Sequence, residues 1–248
     1  MTDLPRVVTA TGITDDELAE LYEYPDVPGP WLRANFVVSL DGAITTNGSS
    51  TGLTNPLDQR TFKLLRDLAD VVLVGAATIR IEDYIGVRTS DEGLQRRADR
   101  GLATLPPLAV VSGRADIDPE SRLLTNTIVP PIILTTTTAP TTAKRNLTAA
   151  GAQVIELGPD RIETAAMIDA LTSLGLRKIL CEGGPTLTGQ LAADHALDEL
   201  CVTTAPSVVC GNAQRITHTD RHSTVGMRCN HIIFDADGAQ LARWVRSS

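Results

Sequence analysis

The sequence predicts an α/β fold with one mixed, mostly parallel sheet and helices on both of its faces. Short apolar runs alternate with helix-like segments along most of the chain, and residues 71–74 are uninterruptedly apolar, as in a parallel strand that is buried on both faces. The C-terminal part is instead rich in strands, without long helices between them. Because ligands bind beyond the carboxyl ends of parallel strands, the polar or glycine residues that follow the strands predict a ligand-binding rim. These residues are Gly42, Gly75, Ser112, Gly113, Thr135, Gly183 and Gly184.

The composition favours a small soluble ligand as the partner. The chain has 248 residues, 42% of them hydrophobic, which is enough for one large domain with its own core. Its net charge of −8 argues against a nucleic-acid or an anionic-membrane partner. The first residues lack the features of a signal peptide, so we expect a cytoplasmic protein. Four cysteines without a C-x-x-C pair predict buried, reduced thiols and no metal site.

The N-terminal residues 1–30 are expected to form an arm that packs on a domain of residues 31–248. Thr14 can cap a helix over residues 15–22, and a segment rich in proline and glycine, residues 25–30, ends it. Residues 31–40 then predict the first strand. The polar loop that follows, residues 45–54, is either an inert connection or a lid over a site.

A helix is predicted from Pro56 to about residue 69, because Asn55 and Pro56 are typical of a helix start. Phe62 and Leu65 should face the core, with Asp58 and Asp67 on more polar faces. A second junction of strand, glycine and helix follows at Gly75. Residues 91–100 show no clear period, and we interpret them as a charged surface excursion.

The second half continues the alternation of strands and helices before the strand-rich end. Strands are predicted over residues 108–111, 132–134 and 153–157, and helices over residues 139–150 and 162–174. Residues 200–209, 231–234 and 240–245 should add antiparallel edge strands, the last two as a hairpin around Asp237 and Gly238. The four histidines are expected to be surface or capping residues outside the rim.

Residues 177–189 organise the chain: a short strand, a pair of glycines and a helix that begins at Pro185. Glycine lets the backbone approach a phosphate closely, and the free N–H groups of a helix start attract an anion. Taken alone, the two glycines are equally consistent with a tight turn.

Four motifs recur in the order of a known family: Val38-Ser-Leu-Asp-Gly42, Thr54-Asn-Pro56, Val74-Gly-Ala-Ala-Thr78 and Glu182-Gly-Gly-Pro-Thr-Leu187. Over about residues 31–247, the chain resembles the pyrimidine reductase of riboflavin biosynthesis, which forms the C-terminal domain of a bifunctional deaminase–reductase and has the fold of dihydrofolate reductase. The zinc motifs of the deaminase partner, H-x-E and P-C-x-x-C, are missing, so we expect a stand-alone reductase.

The resemblance implies NADPH as the cofactor and a homodimer as the assembly. Residues 46–48 would close over the nicotinamide, residues 183–187 would hold the pyrophosphate, and Ser112, together with Arg114, would suit the 2′-phosphate. The implied cofactor-binding residues are Thr46, Asn47, Gly48, Thr78, Glu82, Asp83, Ser112, Gly183, Gly184, Pro185, Thr186 and Leu187.

The resemblance also implies the substrate, 5-amino-6-(5-phosphoribosylamino)uracil, whose ribosyl group is reduced to a ribityl group. The matching substrate-binding residues are Ser50, Arg66, Arg88 and Glu182. Asp67 and Glu182 are the two candidates for a catalytic acid. The chain departs from the family where Ile81-Glu-Asp-Tyr84 replaces a common Ala-Asp-Asp/Asn-Pro.

Two other functions stay open on the sequence. One is a dihydrofolate or dihydropteridine reductase, whose pterin needs a carboxylate such as Asp58 or Asp67. The other is a sensor that binds NADP without catalysis.

Overall fold

The computed structural model describes residues 4–247, and in this part of the chain one sheet organises the fold. Its strands are β1 (Arg6–Thr9), β2 (Trp31–Val38), β3 (Val71–Gly75), β4 (Leu108–Val111), β5 (Ile132–Thr135), β6 (Gln153–Glu156), β7 (Lys178–Cys181), β8 (Glu199–Thr204), β9 (Met227–Phe234) and β10 (Gln240–Arg246). The helices are α1 (Asp15–Leu21), α2 (Pro56–Leu68), α3 (Ala76–Ile81), α4 (Asp91–Asp99), α5 (Arg122–Thr125), α6 (Thr141–Ala149), α7 (Thr164–Ser173) and α8 (Pro185–Ala193).

The strand order is β1-β9-β10-β8-β2-β7-β3-β4-β5-β6. All neighbours from β8 to β6 are parallel, whereas β10 is antiparallel to both β8 and β9. The two faces carry separate cores, because successive residues of a strand point to opposite sides. Val72 packs with residues of α1 and α2, and Leu73 packs with residues of α7 and α8. The prediction of a mixed, mostly parallel sheet between helices is therefore confirmed.

The N-terminal segment is joined to the sheet at two places. Strand β1, which the sequence analysis did not predict, pairs in parallel with β9. Helix α1 begins at a capping box formed by Thr14 and Glu17, as the predicted cap required, and buries Leu18 and Ala19. Three of the four side chains of β1 are exposed, so its sequence shows no alternation of buried and exposed residues. Only the pairing with β9 defines it as a strand.

A buried ionic cluster ties the end of α1 to the sheet. Glu199 accepts hydrogen bonds from Arg33 Nε at 2.5 Å and from Arg243 Nη2 at 2.9 Å. The same arginines donate to main-chain carbonyls at the end of the helix: Arg33 to Tyr22 at 2.7 Å, and Arg243 to Leu21 at 2.6 Å. Because the last carbonyls of a helix lack partners within it, the two arginines act as its C-terminal cap.

The interpretation of residues 91–100 as a charged surface excursion without periodicity is wrong, since α4 covers residues 91–99, is capped by Ser90 and buries Arg96 and Arg97. Arg97 is fully buried, and its Nη1 donates to the carbonyls of Arg66, Asp67 and Ala69 at the end of α2. The helix packs through these polar contacts rather than through an apolar stripe. A search for hydrophobic periodicity therefore misses it.

Two expectations for the C-terminal part also need correction. Strands β8, β9 and β10 are joined by antiparallel pairs, as predicted, but none of them is an edge strand: β8 also pairs in parallel with β2, and β1 covers β9. His231 is buried beside Tyr22 rather than on the surface, while Cys210 is exposed rather than buried. None of the helices over residues 4–247 has the length and the apolar character that crossing a bilayer requires.

Candidate active site

A cleft of about 760 Å³ opens beyond the carboxyl ends of β2, β3 and β7. Helix α2, the loop after β2 and the residues that follow α3 form its walls. The predicted residues among those lining it are Gly48, Ser50, Arg66, Thr78, Glu82, Asp83, Glu182, Gly184 and Pro185. Three of the four family-like motifs thus contribute directly to one cleft.

The two glycine junctions meet at the floor of this cleft. The N–H of Gly75 donates to the carbonyl of Gly183 at 2.7 Å. Gly183 has a φ of +90°, and a Cβ added there would lie 3.0 Å from the ring of Phe36. A Cβ on Gly184 would lie 2.7 Å from Thr78 Oγ1. Larger residues would therefore fill the space between the junctions, which explains both glycines of the motif.

Helix α8 begins directly at these glycines, with Gly184 at its cap and Pro185 in its first turn. The first N–H groups of a helix have no acceptor within it, and the helix dipole adds a partial positive charge there. Thr186 and Leu187 lie in this first turn. A phosphate group fits the chemistry of the junction, which combines backbone donors, small residues and the hydroxyl of Thr78.

Glu182, the residue before the glycines, is held by two side chains. Arg66 donates from Nε and Nη2 to its two oxygens, each at 2.7 Å, and Tyr84 donates from its hydroxyl at 2.8 Å. The guanidinium also lies 4.3 Å from the ring centre of Phe62. Burial, and then the charge of Glu182, raise the pKa of Tyr84 well above its usual value, so this hydroxyl keeps its proton. Glu182 therefore has partners within the protein, which the sequence analysis did not foresee.

The loop after β2 is fastened to the second junction through Glu82. Its carboxylate accepts hydrogen bonds from the main-chain N–H and the hydroxyl of Ser50, both at 3.2 Å. Within the loop, Thr46 and Ser49 exchange main-chain hydrogen bonds, and Asn47 between them has a φ of +52°. At its start, Ile44 donates to the carbonyl of Gln214, so residues 212–214 form a further part of the wall.

Asp58 lies in the cleft wall and is only 5% exposed, so its expected position on a polar face is wrong. Burial raises the pKa of its carboxyl group, and a hydrogen bond with Thr203 opposes this effect. Phe62, expected in the core, is half-buried and lines the cleft instead. Lys63 lines the same wall, and no ion pair involving it occurs among the described residues.

Asp67 points away from the cleft, although it is on the same helix. It too is buried rather than on a polar face, and it accepts hydrogen bonds from Thr89 at 2.5 Å and from Arg96 at 2.8 Å. Burial raises its pKa, while Thr89 and Arg96 lower it. Arg88 also lies outside the cleft lining, where its Nη2 donates to Asn126.

Ser112 is buried at the end of β4, where its hydroxyl accepts a hydrogen bond from the N–H of Asp116 at 3.1 Å. It lies on the rim that the sequence predicted but not in the cleft itself. The cleft residues that sequence reasoning missed include Tyr84, Lys63 and residues 212–214. The only available signal was for Tyr84, because it replaces a proline in a motif.

Comparison with known proteins gives a consistent family. Residues 30–241 match the model of a family described as the RibD C-terminal domain. A 2,5-diamino-6-ribosylamino-4(3H)-pyrimidinone 5′-phosphate reductase of Methanothermobacter thermautotrophicus is 27% identical over 75% of this chain and 82% of its own. The riboflavin biosynthesis protein RibD of Mycobacterium tuberculosis is 27% identical over 73% of this chain but only 44% of its own length.

Among solved structures, a pyrimidine reductase-like protein of Corynebacterium diphtheriae is similar, with a TM-score of 0.82 and 25% identity. The alignment covers 93% of this chain and 99% of that one. The riboflavin biosynthesis reductase of Saccharomyces cerevisiae has the same fold, with a TM-score of 0.68 at 13% identity, over 93% of this chain and 98% of its own.

Proposed function

We propose that this chain, which belongs to the family of RibD C-terminal domains, is an NADPH-dependent reductase of a ribosylamino-pyrimidine in riboflavin biosynthesis. The curated relatives are reductases named for such a substrate, a ribosylamino-pyrimidinone 5′-phosphate. The observation that carries the proposal is the cleft, in which a phosphate-compatible helix start and a fixed carboxylate, Glu182, lie next to each other in the chain and line the same space.

The cofactor end of the cleft is the glycine junction. Gly183 and Gly184 leave the space that a pyrophosphate needs, and the N–H groups at the start of α8 would hold it. Thr78 would add a hydroxyl, and the loop of residues 46–48 would cover the nicotinamide. Ser112 and Arg114 stay proposals for the 2′-phosphate. When bound, NADPH supplies the hydride, and the protein supplies orientation and charge.

The substrate end lies between α2 and the loop after β2. Glu182 would accept a hydrogen bond from an amine or a hydroxyl of the substrate, and Ser50 would line the ribose side. The reduction adds a hydride to C1′ of an open-chain imine and a proton to its nitrogen, which gives a ribitylamine. Arg66 is paired with Glu182, so Lys63 is the cleft cation left to attract the phosphate.

A proton donor is needed in the cleft, and Asp58 fits this role better than Asp67. Asp67 bonds Thr89 and Arg96 outside the cleft lining. Both oxygens of Glu182 already accept hydrogen bonds from Arg66, which occupies this carboxylate as an ion-pair partner. Asp58 lines the cleft, and its raised pKa increases the fraction that carries a proton near neutral pH.

The proposal also includes a homodimeric assembly and a cytoplasmic location. On one face of β8 and β10, Leu200, Val202, Ala242 and Trp244 are only half-buried. A second copy of the chain would cover this face, in keeping with the homodimer that the resemblance implies. A soluble pyrimidine substrate fits a cytoplasmic enzyme.

The experiment is an assay of NADPH oxidation by the purified protein with 5-amino-6-(5-phosphoribosylamino)uracil and, separately, with its 2,5-diamino-pyrimidinone counterpart. Turnover with NADPH and formation of the ribityl product, identified by mass spectrometry, are expected. NADH and the Gly184→Ala protein serve as controls. Failure to oxidise NADPH with either pyrimidine would refute the proposal.

One observation favours a second candidate, the reduction of a pterin or of dihydrofolate. A buried carboxyl group without a cationic partner, such as Asp58, can donate to or accept from the amino-substituted ring of a pterin. Assays with dihydrofolate and a dihydropteridine separate the two activities. NADPH binding without turnover of any of these substrates would instead support a sensor.

A further inference from the structure

We propose that Tyr84 is a positioning residue for the substrate, because it fixes Glu182 so that the carboxylate offers one acceptor position to an N–H or O–H group of the ligand. The inference rests on the proposed function and deepens it. Tyr84, Glu182 and Arg66 all line the cleft. Tyr84 stands where the motif of the family that the chain resembles has proline, so its hydroxyl is one of the departures of this chain from that motif.

The donors around Glu182 define how many bonds remain for a ligand. Oε1 accepts from Arg66 Nε, and Oε2 accepts from both Arg66 Nη2 and the hydroxyl of Tyr84. A carboxylate has about four acceptor positions, and three are filled. One position is therefore left for the ligand. That position is on Oε1. Without Tyr84, Oε2 would also have one open position, so that the carboxylate would offer two, and its orientation would depend on Arg66 alone.

The main chain of Tyr84 is itself held by α3. Its N–H donates to the carbonyl of Ile79 at 3.1 Å, directly after Asp83, whose φ is +47°. The guanidinium of Arg66 lies 5.5 Å from the centre of the Tyr84 ring, in addition to its contact with Phe62. Tyr84 thus contacts both members of the ion pair and restricts their movement together.

This arrangement selects the part of the substrate that can bind here. The charge of Glu182 is balanced by Arg66, and a phosphate placed against the carboxylate would meet an anion without a free cation. An amine or a hydroxyl can use the remaining acceptor position without this cost. The site next to Glu182 therefore receives the amino-pyrimidine or the C1′–C2′ end of the sugar, and not the phosphate.

The test is a double-mutant cycle with Tyr84→Phe and Glu182→Gln. KM and kcat are measured with 5-amino-6-(5-phosphoribosylamino)uracil, and the Kd of 5-amino-6-ribitylaminouracil is measured by calorimetry with NADP⁺ present. Tyr84→Phe should raise KM and this Kd about tenfold, change kcat by less than about twofold and leave the Kd of NADPH unchanged. In the Glu182→Gln background, Tyr84→Phe should change KM and the Kd of the ribityl pyrimidine by less than about twofold.

Tyr24→Phe is the matched control, since Tyr24 is a buried tyrosine outside the cleft whose hydroxyl has no hydrogen-bond partner among residues 4–247. It should behave like the wild type. Full additivity in the cycle, or an effect of Tyr84→Phe no larger than that of Tyr24→Phe, would overturn the inference. A wild-type protein that binds the ribityl pyrimidine without any turnover would refute the proposed reaction, while the calorimetric cycle would still decide the role of Tyr84.

Discussion

The buried cluster of Arg33, Glu199 and Arg243 should be the largest single electrostatic contribution to stability. Neither Glu199 nor Arg33 is exposed, and Arg243 is 10% exposed at its side chain. Replacing Glu199 by Gln leaves two buried guanidinium groups without their counter-charge, at a cost of about 3–5 kcal/mol. For a chain of this size, about 2–4 °C is lost per kcal/mol, so Tm should fall by about 6–20 °C.

The pH dependence of stability provides a second, independent test of the contribution of Glu199. Burial raises the pKa of Glu199, but Arg33 and Arg243 outweigh this effect, so its pKa in the folded protein lies below the ordinary 4.5. The stability that it contributes is present above the pKa of the unfolded chain and is lost as the pH falls through the folded pKa. Below pH 4.5, the wild type should therefore lose stability more steeply than Glu199→Gln.

Thermal unfolding followed by circular dichroism at pH 7 and at several lower pH values measures both effects. Glu156→Gln is the matched control, because Glu156 is 44% exposed and pairs with Lys144 at the surface, where an ion pair contributes less than about 1 kcal/mol. A Tm of Glu199→Gln as close to the wild type as that of Glu156→Gln would refute the reasoning. Identical slopes below pH 4.5 would do the same.

Three further predictions concern the cleft. Gly184→Ala should raise the Kd of NADPH about tenfold in a fluorescence titration, because the new Cβ collides with Thr78, whereas Gly29→Ala, with open space around it, should not. Asp58→Asn should lower kcat about 100-fold at unchanged NADPH affinity; retention of the wild-type kcat would exclude it as the acid. Lys63→Gln should raise KM about tenfold for the phosphorylated pyrimidine only, and an equal rise for the unphosphorylated one would contradict a phosphate contact.

The parts of the fold that the sequence predicts well are those that depend on local pattern. Strand β3 is apolar throughout because both of its faces are covered, and α2 begins where Asn55 and Pro56 require it. The glycines at 183 and 184 are explained by local space, which sequence reasoning can anticipate from a strand followed by a helix. In each case, the residues that allow the prediction are the same ones that form the strand, the helix start or the turn.

Other features depend on partners that are distant in the sequence, and local patterns do not predict them. Helix α4 is stabilised by hydrogen bonds from Arg97 to the end of α2. The hydrophobic pattern of α4 itself therefore does not predict it. The sequence predicted that Glu182 binds the substrate. In the structure, it accepts hydrogen bonds from Arg66 and Tyr84, which are 116 and 98 residues away along the chain. No local pattern encodes such contacts.

The sequence left the choice between the two carboxylates of α2 open, although helix geometry separates them. Asp58 and Asp67 are nine residues apart, and at about 100° per residue they lie on opposite sides of the helix. The side that carries Asp58 also carries Phe62 and Arg66, whose positions follow at intervals of four residues. Only one of the two carboxylates can therefore face the cleft, and the location of Arg66 decides that it is Asp58.

The opposite side of α2 connects the site to the rest of the protein. Arg60 pairs with Asp15 of α1, and Asp67 pairs with Arg96 of α4, so α1 and α4 both hold α2 on the side away from the cleft. On the cleft side, Arg66 pairs with Glu182. The main-chain carbonyl of Arg66 itself accepts from Arg97 at 3.1 Å. Because a substrate-orienting carboxylate tolerates little displacement, these outer contacts stabilise the geometry of the cleft as well as the fold.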